Sequence, residues 1–343
     1  MSDFSWPATI GALIDSQDLP RPVAAQAMAE IMSGRASDAQ ISAFIVALRT
    51  KRESADEMAG MVDAMMDAAV TANVPNSVDI VGTGGDGFGT FNVSTTAAFI
   101  AAGAGVRIAK HGNRAASSKT GSADLLEALG FDIELGPDQV ARMVDHSNFG
   151  FFFAPRYHPA MRHAVGVRRD LGVRTVFNFL GPLCNPAGAR MSVGVSDPRM
   201  AEVMIEVLAA RGVDRAFVVY GEEGLDELSP AGPSRIHRLI DGEVTEAEFT
   251  PEDFGIRRSR IEDIVGGDSA RNVAITRSIL DGATGPQRDA AVINAAPAII
   301  LGGLADGFAR AVEIAEESID SGAANRALTN SLTINELLSG SPS

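Results

Sequence analysis

The stretch VDIVGTGGDGFGTFNVST, from Val78 to Thr95, restricts the possible folds more than any other part of the chain. VDIV is short and apolar, as a buried strand is. Five glycines then stand between Gly82 and Gly89. After them TTAAFIAAGAG has the texture of a helix, and VRIA reads as a second strand. Strand, helix and strand in that order make a βαβ unit, so both strands lie parallel in one sheet. So flexible a run costs backbone entropy on folding. One glycine suffices for a tight strand-to-helix turn; five argue for a ligand lying close against the backbone.

The flanking sequence divides in two. Residues 20–70 carry apolar residues at helical spacing through PVAAQAMAEIM, AQISAFIVALR and EMAGMVDAMMDA. Ser37 with Gln40, and Ser54 with Glu57, fit capping boxes. Beyond the glycine loop, SADLLEALG reads as a helix, and Pro159 opens another that runs to about Leu171. MSVGVS, RAFVVY and SRIHRLIDGEV read as strands. MAEVMIEVLAARG, ARNVAITRSILDG, AAVINAAPAIILGGLA and GFARAVEIAEESIDSG read as helices. The expected fold class is therefore α/β: a small all-α domain plus a larger α/β domain with a central, mainly parallel sheet.

Gly82 to Gly87 fit G-x-G-x-x-G, but a dinucleotide site needs an acid at the end of the second strand, and here that strand ends in Lys110. No Gly-Lys-Ser/Thr follows the glycines, which argues against a nucleotide P-loop. Glycine amides at a strand end, followed by a helix start bearing Asn92, Ser94 and Thr95, suit a phosphate. The second strand runs into KHGNR and then SSKTGS, with Lys110, Arg114 and Lys119 as cations. Ends of parallel strands share one edge of the sheet, where ligands bind. FVVY runs into GEEGLDE at that same edge. Carboxylates beside a phosphate site suit Mg²⁺, and Asp226 and Glu227, following the apolar Leu225, suit it better than Glu222 and Glu223.

The formal charge of −15 on 343 residues argues against general binding to nucleic acid or to an anionic membrane. An anionic ligand must then be held locally. The single cysteine, Cys184, excludes an internal disulfide framework and suggests a reducing compartment. MSDFSWPATIGALIDSQD has no basic n-region, and the most apolar stretch, between Asp289 and Asp306, is broken by Asn294 and Pro297. A cytoplasmic protein with no membrane segment is expected.

GTGGDG with TFNVST, KHGNRAASSKTGSAD, RRDLGVRTVFNFLGPLCNP and GLDELS, in this order and spacing, closely resemble the anthranilate phosphoribosyltransferases from about Ser37 to Ser321. Pyrimidine nucleoside phosphorylases share the architecture but carry a KHSTGG-type loop. The resemblance implies a small α domain at 1–72 with a returning segment at about 165–186, and an α/β domain at 73–164 and 187–343. It implies a homodimer and the transfer of the phosphoribosyl group of PRPP to the amine of anthranilate, with release of pyrophosphate, in tryptophan biosynthesis. It also implies the site. Gly82, Gly85, Asp86, Thr90, Asn92, Val93, Ser94 and Thr95 would line the PRPP site. Lys110, His111, Gly112, Asn113, Arg114, Ala115, Ala116, Ser117 and Ser118 would wrap it, with Ser122 closing it. Ser94, Asp226 and Glu227 would serve two Mg²⁺ ions, and Gly82, Asn113 and Arg168 would meet anthranilate.

An aromatic amine is already neutral at pH 7, so no catalytic acid or base is expected; catalysis rests on positioning and charge stabilisation. His111 and His158 then read as packing or hydrogen-bonding residues. A non-catalytic relative that binds nucleic acid is the competing reading, and the acidic charge and the intact GLDE segment oppose it.

Overall fold

The computed structural model describes residues 4–115 and 119–340. Ala116, Ser117 and Ser118, expected around the phosphate, lie outside them. Four helices come first: α1 (Trp6–Ile14), α2 (Arg21–Met32), α3 (Asp38–Lys51) and α4 (Ala55–Asp67). Both capping boxes form, at Ser37 and Ser54. Glu57 also accepts from the Leu19 amide at 2.9 Å and pairs with Lys51 at 3.0 Å, tying α4 to its neighbours.

The sheet begins at β1 (Val78–Gly82), followed by α5 (Val93–Gly103) and β2 (Ile108–Gly112). Then come α6 (Ser122–Leu129), α7 (Pro137–Ser147), β3 (Phe149–Phe153), the single turn α8 (Ala154–Tyr157), α9 (Arg162–Leu171) and the short α10 (Phe177–Leu180). The chain re-enters the sheet as β4 (Arg190–Gly194), crosses through α11 (Pro198–Ala210) to β5 (Arg215–Gly221), and adds β6 (Ser234–Ile240) and β7 (Glu243–Phe249). Four helices close the chain: α12 (Ser269–Leu280), α13 (Pro286–Leu301), α14 (Phe308–Asp320) and α15 (Ala323–Ser339).

The strand order is β3-β2-β1-β4-β5-β6-β7. The first five are parallel, and β6 and β7 are antiparallel additions at the edge. SRIHRLIDGEV is thus not one strand: Asp241 and Gly242, at φ +51 and +84, turn it into a hairpin. Alternate residues of β5 enter opposite cores, Phe217 and Val219 on one face, Ala216, Val218 and Tyr220 on the other. The first core holds α5, α13, α14 and α15; the second holds α11 and the N-terminal helices. Helix α5 is buried on all sides, which its Ala-rich sequence permits, and packs against α13. Helix α9 packs on α2 and α3, and α10 on α4, so residues after β3 return to the N-terminal helices.

β2 lies on one side of β1 and β4 on the other, so the loops after β1 and β4 part at the carboxyl edge and open a crevice. Four parallel strands end there in glycine, at Gly82, Gly112, Gly194 and Gly221. Gly82 and Gly194 are register partners. Both need their missing side chains: a Cβ on Gly82 would lie 2.5 Å from Asp226 Oδ2, and one on Gly194 would overlap the Asp226 carbonyl.

Gly194→Ala is accordingly expected to cost about 1–3 kcal/mol of stability, as overpacking does. Gly11→Ala, inside α1 with open space around it, should gain up to about 1 kcal/mol. Urea denaturation of both variants checks the contrast; equal effects would contradict it.

Candidate active site

The glycine loop is held from behind on two sides. Gly84 and Gly85 sit at φ +67 and +74, where residues with a Cβ are strained. The Gly84 N–H donates to Asp226 Oδ2 at 2.6 Å, and the Thr83 N–H donates to the Gly194 carbonyl at 2.9 Å. Arg174, from the segment after α9, donates to the carbonyls of Gly85 (2.8 Å) and Gly84 (3.0 Å). Asp86 turns back on itself, accepting from the Phe88 N–H at 3.1 Å. Farther along, Thr90 bridges to Val265, and the Gly89 carbonyl accepts from the Gly266 N–H at 2.9 Å.

Helix α5 then opens with Val93, Ser94 and Thr95 in its first turn. Its first amides face the carboxyl edge with the positive end of the helix behind them. Asn92, the N-cap, does not cap with its side chain. Its Nδ2 donates to the Thr120 carbonyl (3.0 Å) and its Oδ1 accepts from Asn272 (2.9 Å). Asn92 therefore ties α5 to the second loop through its side chain.

The second loop begins at the end of β2. Lys110 is buried; its ammonium donates to the Ile80 carbonyl and to Ser94 Oγ. Burial lowers its pKa, against the opposing pull of Asp79 and Glu227. Behind it Asp79 accepts from Asn185 (2.8 Å) and from the His111 N–H (3.2 Å), and burial raises its pKa to about 6. Burial, with His158 and Lys110 nearby, takes the His111 pKa down to about 3, so the ring is neutral. His158 bonds the Cys184 carbonyl at 2.8 Å and lies 5.2 Å from His111 between ring centres. Gly112 leaves room for Ser122, whose hydroxyl donates to the Asn113 carbonyl at 3.3 Å. Asn113 Oδ1 accepts from the Arg114 N–H at 2.7 Å, and the Ala115 N–H donates to Asp124 at 2.9 Å. Arg114 is exposed and pairs with Asp124 and Glu127, lying over Phe153. Its charge is partly committed to those acids.

Asp226 and Glu227 lie against both loops, Asp226 on the Gly84 N–H and Glu227 beside Lys110 and the Ser94 amide. Burial, with Asp86 close by, raises the Asp226 pKa to about 7. Burial and Asp226 push that of Glu227 well up too, while Lys110 and the Ser94 amide oppose the rise. Glu222 and Glu223 are engaged elsewhere, with Arg235 at 2.9 Å and with the Ser229 hydroxyl. Among the described residues Thr83 Oγ1, Asp86 Oδ2, Thr95 Oγ1 and His111 Nε2 are buried and without partners. Crowded carboxylates, hydroxyls, and an orphaned Asp86 oxygen form a hard oxygen donor set suited to Mg²⁺. No group of three or more His, Cys, Asp or Glu among the described residues forms a self-sufficient metal cage. Mg²⁺ commonly takes one or two carboxylates and completes its shell with phosphates.

Arg168 sits on α9, with its guanidinium 5.4 Å over the Phe177 ring. No hydrogen-bond or carboxylate partner for it occurs among the described residues, and burial lowers its pKa. A half-buried, unpaired guanidinium suits a planar carboxylate from outside. Arg169, its neighbour, is exposed and pairs with Asp170 at 3.3 Å.

Three supporting residues escape sequence reasoning. Arg174 clasps the loop. Asn272 holds Asn92 and accepts from the Gly267 N–H at 2.8 Å. Asn294, buried on α13, accepts from the Leu228 N–H (2.8 Å) and donates to the Leu228 carbonyl (2.9 Å), fixing the backbone beside Glu227. Only Asn294 left a trace, as a polar break in an apolar run. The assembled edge presents amides, hydroxyls and carboxylates, groups suited to a polyphosphate and a divalent cation.

Known proteins are similar to this chain in sequence and fold. Residues 7–69 match the helical bundle domain of the glycosyl transferase family, and residues 74–325 match its a/b domain. The chain is 51% identical over 320 residues to the anthranilate phosphoribosyltransferase of Moorella thermoacetica, covering 92% of this chain and 94% of the relative. It is 49% identical over 339 residues to that of Salinispora arenicola, covering 96% of each. The crystal structure of anthranilate phosphoribosyltransferase from Thermus thermophilus superposes with a TM-score of 0.91 at 41% identity, covering 96% of this chain and 99% of that one. The Saccharomyces cerevisiae enzyme in complex with PRPP and Mg superposes with a TM-score of 0.88 at 28% identity, covering 98% and 99%. These matches span both the helical part and the sheet, and this chain belongs to the anthranilate phosphoribosyltransferases of that glycosyl transferase family.

Proposed function

We propose that this chain transfers the 5-phosphoribosyl group of PRPP to the amine of anthranilate, in tryptophan biosynthesis. The products are N-(5-phosphoribosyl)anthranilate and pyrophosphate. The observation that carries the reading is the carboxyl edge of the sheet, where an amide-lined glycine loop meets buried carboxylates. In the reaction the bond from C1 of the ribose to the pyrophosphate oxygen breaks, and its electron pair leaves with the pyrophosphate. The aniline nitrogen bonds to C1 and then releases one proton to water. No strong base is required, so the chain's task is to hold two reactants in line and stabilise charge.

The amides of the glycine loop and the first turn of α5 would bind the pyrophosphate, with Gly82, Gly85, Asp86, Thr90, Asn92, Val93, Ser94 and Thr95 around it. Lys110 to Ser118, and Ser122, would enclose it from the second loop. Asp226, Glu227 and Ser94 would hold two Mg²⁺ ions. Mg²⁺ held there would supply charge neutralisation to the pyrophosphate as it leaves. Arg168 would take the anthranilate carboxylate, with Asn113 and Gly82 beside the amine. We take residues 1–72, with 165–186, as one domain and 73–164 with 187–343 as the other, so that the crevice lies between them. We also propose a cytoplasmic homodimer. Ile14, Val46 and Val165 are exposed on α1, α3 and α9, an apolar face suited to a second copy. The one cysteine, free and buried, suits a reducing compartment.

Anthranilate fluorescence should fall when protein, PRPP and Mg²⁺ are all present, and not when any one is left out. In that assay Arg168→Ala should raise KM for anthranilate by roughly 10–100-fold, the worth of a charged hydrogen bond, and leave KM for PRPP nearly unchanged. Arg169→Ala should change neither. Like behaviour of the two variants, or an effect of Arg168→Ala on PRPP alone, would place the acceptor elsewhere.

Asp226→Ala combined with Glu227→Ala should raise the Mg²⁺ concentration needed for half-maximal turnover at least about tenfold, or abolish turnover. An unchanged Mg²⁺ titration would move the metal away from these carboxylates.

A further inference from the structure

Arg174 lies in the segment Gly172 to Thr175 that follows α9, six residues beyond Arg168. Its guanidinium reaches the glycine loop 89 and 90 residues away in sequence, donating to the carbonyls of Gly85 and Gly84. A third bond, at 3.1 Å, runs from Nη1 to Ser196 Oγ, just past the end of β4. The guanidinium lies 5.3 Å over the Phe179 ring. Phe177, under the Arg168 guanidinium, is two residues away on the same short helix. Arg174 therefore meets three segments at once, and makes no ion pair among the described residues.

The consequence follows from peptide geometry. In a trans peptide the carbonyl and the next residue's N–H point in opposite directions. Fixing the Gly84 carbonyl on Arg174 turns the Gly85 N–H away from it, and fixing the Gly85 carbonyl does the same to the Asp86 N–H. Neither N–H has a partner among the described residues. The left-handed backbone at Gly84 and Gly85 permits this arrangement, and successive amides turned one way make an anion-binding concavity. Unclasped, two consecutive left-handed glycines have many other conformations open to them.

We propose that Arg174 is a positioning residue that sets the glycine loop in its phosphate-binding form, and that it ties this loop to the segment carrying Arg168. The inference rests on the PRPP reading of the loop. Arg174 touches the back of the loop through its carbonyls. Its contribution is to spare the ligand the cost of ordering the amides. A lysine can place only a point charge there and cannot fork across two carbonyls.

The test is steady-state kinetics of the full-length enzyme with Mg²⁺, for wild type, Arg174→Ala and Arg174→Lys. Arg174→Ala should raise KM for PRPP by roughly 10–100-fold, the worth of its charge-assisted bonds, and lower kcat. Guanidinium ion at low millimolar concentration should restore part of that loss, and have no such effect on the wild type. Arg174→Lys should fall between the two. Kinetics of Arg174→Ala within twofold of wild type would overturn the proposal. So would a loss that guanidinium does not repair, accompanied by a lowered melting temperature, because that is what a packing role predicts. Should the alanine variant fail to fold, an Arg174→Lys enzyme with wild-type KM for PRPP overturns it equally. Absence of turnover in the wild type would count against the PRPP reading instead. The clamp is then judged by amide hydrogen exchange of residues 84–87 in the free protein, which should speed up in Arg174→Lys, while unchanged exchange sinks it.

Discussion

One hydrogen bond organises the crevice, from the Gly84 N–H to Asp226 Oδ2 at 2.6 Å. It joins the loop after β1 to the loop after β5 across the intervening strand β4. It can form only because Gly82 and Gly194, paired in register on β1 and β4, have no side chains there. Glycine at the ends of these strands is thus a matter of space, whereas at Gly84 and Gly85 it is a matter of backbone angle. The two requirements together place an acidic turn directly behind a row of free amides. Charge-assisted bonds of this kind are short and strong, and they fix geometry as well as adding stability.

Placing Asp86, Asp226 and Glu227 together is electrostatically unfavourable in the free protein. Their proximity and burial raise the pKa of both Asp226 and Glu227. Lys110 sits among the same groups, with Asp79 on its other side. On the proposed reading, a cation arriving with the phosphates would relieve this crowding. This also reconciles an acidic protein, at −15, with an anionic substrate: the attraction is confined to one edge. Asn294 holds the Leu228 backbone, and Asn272 holds the Asn92 side chain and the Gly267 backbone, so the strain is borne by fixed structure.

Features that reside in contiguous sequence were legible before the structure. The βαβ start, the helical run before it and the capping boxes at Ser37 and Ser54 all depend on local chemistry. β3 was missed because FGFFF is buried throughout and shows no alternation to separate strand from helix. The β6–β7 hairpin was merged into one strand although Asp241-Gly242 is a turn signal. Helices α1, α7 and α15 also went unread. Arg174, Asn185, Asn272 and Asn294 are a different matter. Each acts on a partner 66 to 180 residues away, and the sequence around it does not say which partner that is. Asn92 shows the converse, since its side chain serves the scaffold through Thr120 and Asn272.

The central claim is that backbone amides of the glycine loop, kept free by the contacts behind them, receive the pyrophosphate. Amide hydrogen exchange of the wild-type protein, with and without PRPP and Mg²⁺, tests this most directly. The account predicts that exchange at Gly85 and Asp86 slows markedly when both are added. It also predicts that Mg²⁺ alone leaves it nearly unchanged. Unaltered exchange at these two amides, with protection appearing only elsewhere on the chain, would contradict it.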